Sequence, residues 1–282
     1  MIRIITDSSC DLTPEQAARL NVHVVALGVT FEDGTSYRDR VELSPEEFYR
    51  KLAACDKLPT TSQPPFSRWA DLFEEAQEAG DDVVAVLLSG ELSGTIQGAR
   101  AAADLVGYPG VHIVDSQAAA LSLNLLVRLA ARLRDSGRAA AQIAETLEEE
   151  KKRVRLVALI DDLKYLRKGG RLPATVAVAG NLLGIKPVII LKDGKVKLAG
   201  KGRGLPGAYV SLFKLIDSEG GIDPDSGMVV GYTQNPRGAE PIQQYLTGNL
   251  KLPAAPLCHV GPAIGTHTGP RCAGIAFFAR EN

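Results

Sequence analysis

Val83-Val84-Ala85-Val86-Leu87-Leu88-Ser89-Gly90-Glu91-Leu92-Ser93-Gly94-Thr95 decides the fold of this chain. Six apolar residues without alternation predict an interior strand of a parallel sheet, covered on both faces. The polar turn that follows leads into a helix expected from about Ile96 to Val106, so Ser93 and Thr95 fall at a helix entry. The same order of strand, polar turn and helix recurs on both sides. Ile2 to Thr6 runs into Thr6-Asp7-Ser8-Ser9, and a helix is predicted at Thr13-Pro14-Glu15-Gln16, which offers a cap, a first-turn proline and a capping-box Gln. His112 to Val114 ends in Asp115-Ser116, ahead of a helix from Ala118 to about Arg134 that is apolar on most faces and so must be buried. Open α/β sheets place ligands at the C-terminal ends of such strands.

Pro59-Thr60-Thr61-Ser62-Gln63-Pro64-Pro65 is the second informative stretch, with Phe66-Ser67-Arg68-Trp69 opening a helical pattern behind it. Three consecutive hydroxyls stand where a helix leaves its first N–H groups unpaired, and prolines suit the first turn. A cap needs one hydroxyl. The surplus points to a site for an anionic group at a helix N-terminus, carboxylate or phosphate.

The second half reads differently. Ala139 to Arg153 is an amphipathic helix expected to connect to a second domain, and a strand restarts at Leu156 to Ile160. Leu163 to Arg171 is a short helix ending on Gly169-Gly170. Thr175 to Leu183 is small and apolar, suited to close packing on a neighbouring segment or an apolar ligand. Lys186 to Leu191 and Lys195 to Ala199 form a hairpin through Asp193-Gly194. Strands at Met228–Tyr232, Leu257–Val260 and Ala273–Ala279 alternate with helices near 205–218 and 238–245. The expected organisation is two α/β domains, residues 1–152 with a mostly parallel sheet flanked by helices and residues 153–282 with a mixed sheet and helices.

At 282 residues and 45% hydrophobic, the chain has ample material for such cores, and with aromatics at 5% they must be mostly aliphatic. The four cysteines form no Cys-x-x-Cys pair, so neither a zinc site nor a disulfide framework is indicated. The reading is of reduced thiols in the cytoplasm. The N-terminus lacks the apolar stretch of a signal peptide, and the longest apolar region is interrupted by Ser122, Asn124 and Arg128. Net charge is −1, yet residues 151–204 carry 14 Lys and Arg against 3 Asp. That block is a solvated basic face or a meeting point for an anionic partner or membrane surface.

No Walker loop, His-Glu-x-x-His helix or Gly-x-Ser-x-Gly elbow occurs, and no metal-ligand spacing is present. Asp7, Asp115 and Asp161 follow strands and are read as loop holders. His23, His112 and His259 lie in or beside apolar strand patterns. His267 is set apart by Gly265-Thr266-His267-Thr268-Gly269-Pro270, read as a glycine-rich loop, where a polar role is expected.

Taken together, Thr6-Asp7-Ser8-Ser9, Pro59 to Pro64, Leu92-Ser93-Gly94-Thr95, Val114-Asp115-Ser116, Leu166 to Arg171 and Gly265 to Pro270 resemble the DegV family of bacterial fatty-acid-binding proteins, in the family's order and over nearly the whole chain. The resemblance implies a carrier that holds one long-chain fatty acid, such as palmitate, stearate or oleate, and presents its carboxylate to a separate fatty acid kinase for phospholipid synthesis. It implies a head-group site at Thr61 and Ser93, with Ser62, Gly94, Thr95 and His267 beside it, and kinase docking or head-group support at Arg171 and Arg203. No catalytic residue, metal or nucleic-acid partner is implied. One departure is Arg271, where the family commonly has glycine; a side chain there enters the left-handed region less cheaply. The competing expectation is an enzyme acting on an acyl ester or a small carbonyl substrate, with Ser93 as nucleophile and His267 as base.

Overall fold

The computed structural model describes residues 1–173 and 184–281. The apolar stretch Thr175 to Leu183 lies outside the described residues.

The first half runs β1 (Ile2–Asp7), α1 (Pro14–Arg19), β2 (Val22–Val25), β3 (Gly28–Thr30), β4 (Ser36–Arg38), α2 (Pro45–Ala54), β5 (Thr60–Ser62), α3 (Phe66–Ala79), β6 (Asp82–Leu87), α4 (Thr95–Val106), β7 (Val111–Asp115), α5 (Leu121–Asp135) and α6 (Ala140–Glu150). The second half runs β8 (Val154–Leu159), α7 (Lys164–Lys168), β9 (Ile185–Lys192), β10 (Lys195–Arg203), α8 (Gly204–Ser218), β11 (Met228–Tyr232), α9 (Glu240–Gln244), β12 (Leu257–His259), α10 (Pro262–Thr268) and β13 (Ala273–Phe278).

Four strands in the order β2-β1-β6-β7 make an all-parallel sheet, as the unbroken apolar run of β6 requires. The second sheet, β10-β9-β8-β13-β11-β12, is mixed, parallel only between β11 and β12. A small antiparallel sheet, β4-β3-β5, accompanies them. An α/β fold on a parallel and a mixed sheet, with helices, is therefore present as expected.

The core explains why α5 is apolar nearly all round. Leu123, Leu126, Val127 and Ala130 are fully buried in a cluster that also holds Ile4 and Val84 from the parallel sheet and Leu156, Val229 and Phe278 from the mixed one. The helix thus lies between the two sheets and exposes side chains only in its last turn, at Arg132 and Asp135. Trp69, Phe73 and Ile96 cover the other side of the parallel sheet. Helix α6 differs from its expected role as a connector. Ala140, Ile143 and Leu147 are buried in the shared core, so it completes the layer over β6 and β7.

Two expectations near the site are corrected. Thr60–Ser62 is a strand, with Val29 of β3 opposite Thr61, and α3 is capped by Pro65 without any side-chain hydrogen bond. The hydroxyls are released from capping because pairing with β3, more than thirty residues away, fixes an extended backbone that local propensity does not register. His267 lies in the last turn of helix α10, which opens with Pro262 at its first position. Gly265 permits close packing there. A Cβ on it would stand 2.6 Å from Phe48 and 2.7 Å from the Tyr49 hydroxyl. Arg271 does occupy the left-handed region, at φ +58, and its guanidinium pairs with Asp161.

The basic block is largely neutralised within the fold. Arg153 meets Glu150, Asp223 and Glu281; Arg155 and Lys192 share Glu219; Lys186 joins Asp161; and Lys195 faces Glu91. Charge that looks unopposed along the chain is opposed in space.

A buried pair ties the halves together. Arg40 donates to Asp11 at 3.1 Å and to the His259 carbonyl, and Asp11 also accepts the Gly261 N–H at 2.7 Å. The Asp11 side chain is 0% exposed, so Arg40→Ala strands a buried carboxylate. We expect a loss of about 3–5 kcal/mol in chemical denaturation; a loss under 1 kcal/mol would contradict the pairing.

Candidate functional site

Strands β1 and β6 end side by side, and Asp7 fastens them. Its carboxylate accepts the Leu88 N–H at 2.8 Å and the Ser9 N–H at 3.0 Å. Asp115 does the same for the Gly90 and Gln117 N–H groups, and Asp161 for Lys186 and Arg271. All three aspartates hold loops, as their positions after strands led us to expect.

Beyond these ends lies a cavity between the two sheets. Its walls are aliphatic from both halves, including Leu27, Leu88 and Leu121 on one side and Leu156, Ile189 and Leu191 on the other. Thr61, Ser93, Arg171 and His267 also line it, and neighbouring contacts gather them into one polar corner. Thr61 Oγ1 is 2.8 Å from His267 Nε2. Arg171 Nε donates to the Leu92 carbonyl at 2.9 Å, one residue before Ser93.

Ser93 precedes the N-cap Gly94 of α4, and its Oγ lies 2.9 Å from Thr95 Oγ1 and accepts the Thr95 N–H at 3.3 Å. It thus stands at a helix N-terminus, where backbone dipoles favour negative charge. Arg171 follows the short helix α7, and burial lowers its pKa without threatening its charge. Gly169 is required by its neighbour: a Cβ would stand 2.2 Å from His267 Nδ1.

His267 is held neutral. Burial, with the Arg171 guanidinium second, pushes its pKa down to about 4, and its buried Nδ1 has no hydrogen-bond partner among the described residues. Below pH 6.5 the unfolded chain binds a proton at this residue that the folded chain refuses, so the stability it confers is full above pH 6.5 and lost as pH falls towards 4. We expect His267→Asn to flatten the stability profile over that interval by up to about 3 kcal/mol, read by urea denaturation at pH 7 and pH 4.5. Comparing variant with wild type cancels Asp39, which burial raises to about 7 and which acts with the opposite sign. Equal slopes for the two proteins would refute the neutral buried imidazole.

Not every expected site residue reaches the cavity. Ser62 is exposed and lies against Gly28, whose Cβ would stand 2.4 Å from Ser62 Oγ. Gly94 and the buried Thr95 build the turn behind Ser93 and do not line the cavity. Arg203, at the end of β10, is exposed and away from the lining. Gln63 was given no role by the sequence, yet its amide lies across α4, 2.3 Å from where a Gly94 Cβ would be and 3.6 Å from that of Gly98. The signal was the four-residue spacing of those glycines, which leaves a flat track on one helix face.

Ser93 and His267 do not form a nucleophile–base pair: the hydroxyl is bonded to Thr95 and the imidazole to Thr61. Among the described residues no group of three or more His, Cys, Asp or Glu could hold a metal ion, and no helix is long and apolar enough to cross a membrane. One fixed cation, two hydroxyls and a neutral imidazole at one corner of an aliphatic cavity suit a ligand with an anionic head and an apolar body.

Residues 1–280 match the model of the DegV family, described as an uncharacterised protein family. A DegV domain-containing protein of Deinococcus radiodurans is 35% identical over 278 residues, covering 98% of this chain and 97% of its own. Among solved structures, a DegV family protein of Thermus thermophilus, described by its fatty acid binding, superposes with a TM-score of 0.88 at 32% identity over 99% of both chains. A stearic acid-binding protein of Eubacterium ventriosum superposes with a TM-score of 0.89 at 29% identity, over 98% of this chain and 97% of that one.

Proposed function

This chain belongs to the DegV family, and from that premise we propose that it binds one long-chain fatty acid, with the tail in the cavity between the sheets and the carboxylate at Thr61, Ser93, Arg171 and His267. The observation that carries the reading is the division of the cavity: its walls are mostly aliphatic, and Arg171, the one cation among the described lining residues, stands in the polar corner. Each methylene removed from water contributes roughly 0.8 kcal/mol, so a sixteen-carbon tail supplies most of the affinity. The corner fixes orientation. If Nε2 of His267 carries its proton, it donates to Thr61 and leaves the threonine hydroxyl to donate to the carboxylate.

Thr61→Ala and Ser93→Ala are each expected to weaken palmitate binding about five- to tenfold in titration calorimetry, the worth of one ordinary hydrogen bond. Unchanged affinity in both variants would place the head group elsewhere.

In the fuller reading, the bound acid is a substrate held for another protein. The chain presents the carboxylate to a fatty acid kinase and passes the acyl phosphate towards phospholipid synthesis, working in the cytoplasm and meeting the anionic bilayer transiently. Exposed Arg203 and the exposed pair Arg167 and Lys168, next to Arg171 in sequence, would face the kinase or the membrane. ATP-dependent phosphorylation of oleate by such a kinase should require this chain; phosphorylation of free oleate at the same rate without it would remove the presenting role. The acyl-ester hydrolase reading has less support, because Ser93 and His267 are each bonded to another partner.

A further inference from the structure

The turn between β9 and β10 reaches from the mixed sheet to the loops at the end of the parallel one. Ser89 Oγ donates to the Gly194 carbonyl at 2.9 Å, and the Gly194 N–H donates to the Gln117 carbonyl at 3.1 Å. Lys195 Nζ lies 3.4 Å from Glu91 beside them. The approach is close: Gly194 sits at φ +77, and a Cβ on it would be 2.8 Å from Ser89 Oγ. Ser89 is 0% exposed; its hydroxyl accepts the Glu91 N–H at 3.3 Å and has the Gly194 carbonyl as the acceptor for its own proton.

Both loops gripped by the turn build the cavity. The Ser89 carbonyl accepts the N–H groups of Leu92 and Ser93 at 3.0 and 3.1 Å, and the Leu92 carbonyl anchors Arg171. The place of Ser89 therefore sets the place of Ser93 and of the Arg171 anchor. The other loop carries two residues in sparsely populated backbone conformations, Gln117 at φ +50 and Ala120 at φ +51, ψ −128, and Ala119 and Ala120 line the cavity. Such conformations persist only where the surroundings over-determine them. Here the surroundings are Asp115 on the Gln117 N–H, Gly194 on the Gln117 carbonyl and the Ser9 carbonyl on the Ala120 N–H, at 2.8 Å.

We infer that the Asp193–Gly194 turn is a clasp, with Ser89 and Gly194 as positioning residues that assemble the anion corner from the opposite half of the molecule. The inference rests on the fatty-acid reading for its ligand, but the clasp itself is a property of the free protein. Because a head group gripping Ser93 and Arg171 favours the docked turn, the docked turn favours the head group by the same factor.

Two variants and two measurements test it. In ligand-free protein, Ser89→Ala and Gly194→Ala should each speed amide hydrogen exchange about tenfold or more at residues 90–95 and 117–120 while β1 and β6 stay protected. In binding, Ser89→Ala should lower the ratio of palmitate to hexadecanol affinity about five- to tenfold, and Ser93→Ala should then cost less than it does in wild type. Unchanged exchange in both loops overturns the clasp, and so does an equal loss for acid and alcohol. If the wild-type protein binds neither compound, the fatty-acid reading fails, and the exchange measurement alone decides the clasp.

Discussion

Arg171→Ala is expected to cut affinity for palmitate or oleate by about 2–3 kcal/mol, roughly 30- to 150-fold, the largest effect of any single polar change in the cavity. Arg171 is the one cation among the described lining residues, and a carboxylate taken from water needs a charged partner. Its Nε is already committed to the Leu92 carbonyl and its Nη1 to the Gly169 carbonyl, which leaves Nη2 for the ligand on a guanidinium with little freedom left to lose. Arg171→Lys should recover only part of the loss, since an ammonium lacks the planar fork. Hexadecanol affinity should change little in either variant. Equal weakening for acid and alcohol would mean that Arg171 supports the wall and does not meet the head group.

Gly231→Val should close the apolar part of the cavity. Gly231 lies in β11 opposite Gly274, and both line the cavity. A Cβ on Gly231 would stand 2.5 and 2.8 Å from the two Leu121 methyl groups. Valine suits a strand, but its side chain must push Leu121 aside, and since Leu121 is itself part of the lining, the ligand space narrows as it gives way. Displacing three to four methylenes of a long tail costs about 2.5–3 kcal/mol, near 100-fold, while a twelve-carbon acid should lose far less. Titration of a chain-length series reads the result. A loss equal at every length would show that the tail does not pass Gly231.

The strands of the parallel sheet were legible because their burial on both faces is written as unbroken apolar runs, β6 most plainly. The Asp193-Gly194 hairpin was legible because a tight turn demands those residues. Thr60–Ser62 was not, since a three-residue strand is created by its partner β3 and local sequence favours a cap. The α10 segment misled for a related reason: Gly265 and Gly269 read as looseness, whereas Gly265 lets Phe48 and Tyr49 approach and Gly269 lets Tyr165 approach. Arg271 shows the converse, a side chain in a left-handed position with Asp161 as its partner. That partner is 110 residues away and invisible to spacing.

Thr61, Ser93, Arg171 and His267 were all named from the sequence, and the fold brings them to one corner. What the sequence could not supply was the sorting: which hydroxyls line the cavity and which, as with Ser62 on β5 and Thr95 at the start of α4, do not. Sorting depends on strand register and on the two sheets meeting. The clasp at Ser89 and Gly194 belongs to that class, joining residues 105 apart through one buried hydroxyl.

The central claim is that the cavity holds one fatty acid, and mass spectrometry of the purified protein tests it most directly. Native spectra should show a single adduct per chain, and a denatured solvent extract should identify it as a long-chain fatty acid that Arg171→Ala protein retains poorly. A protein that is purified empty and takes up neither added palmitate nor added oleate would contradict the account.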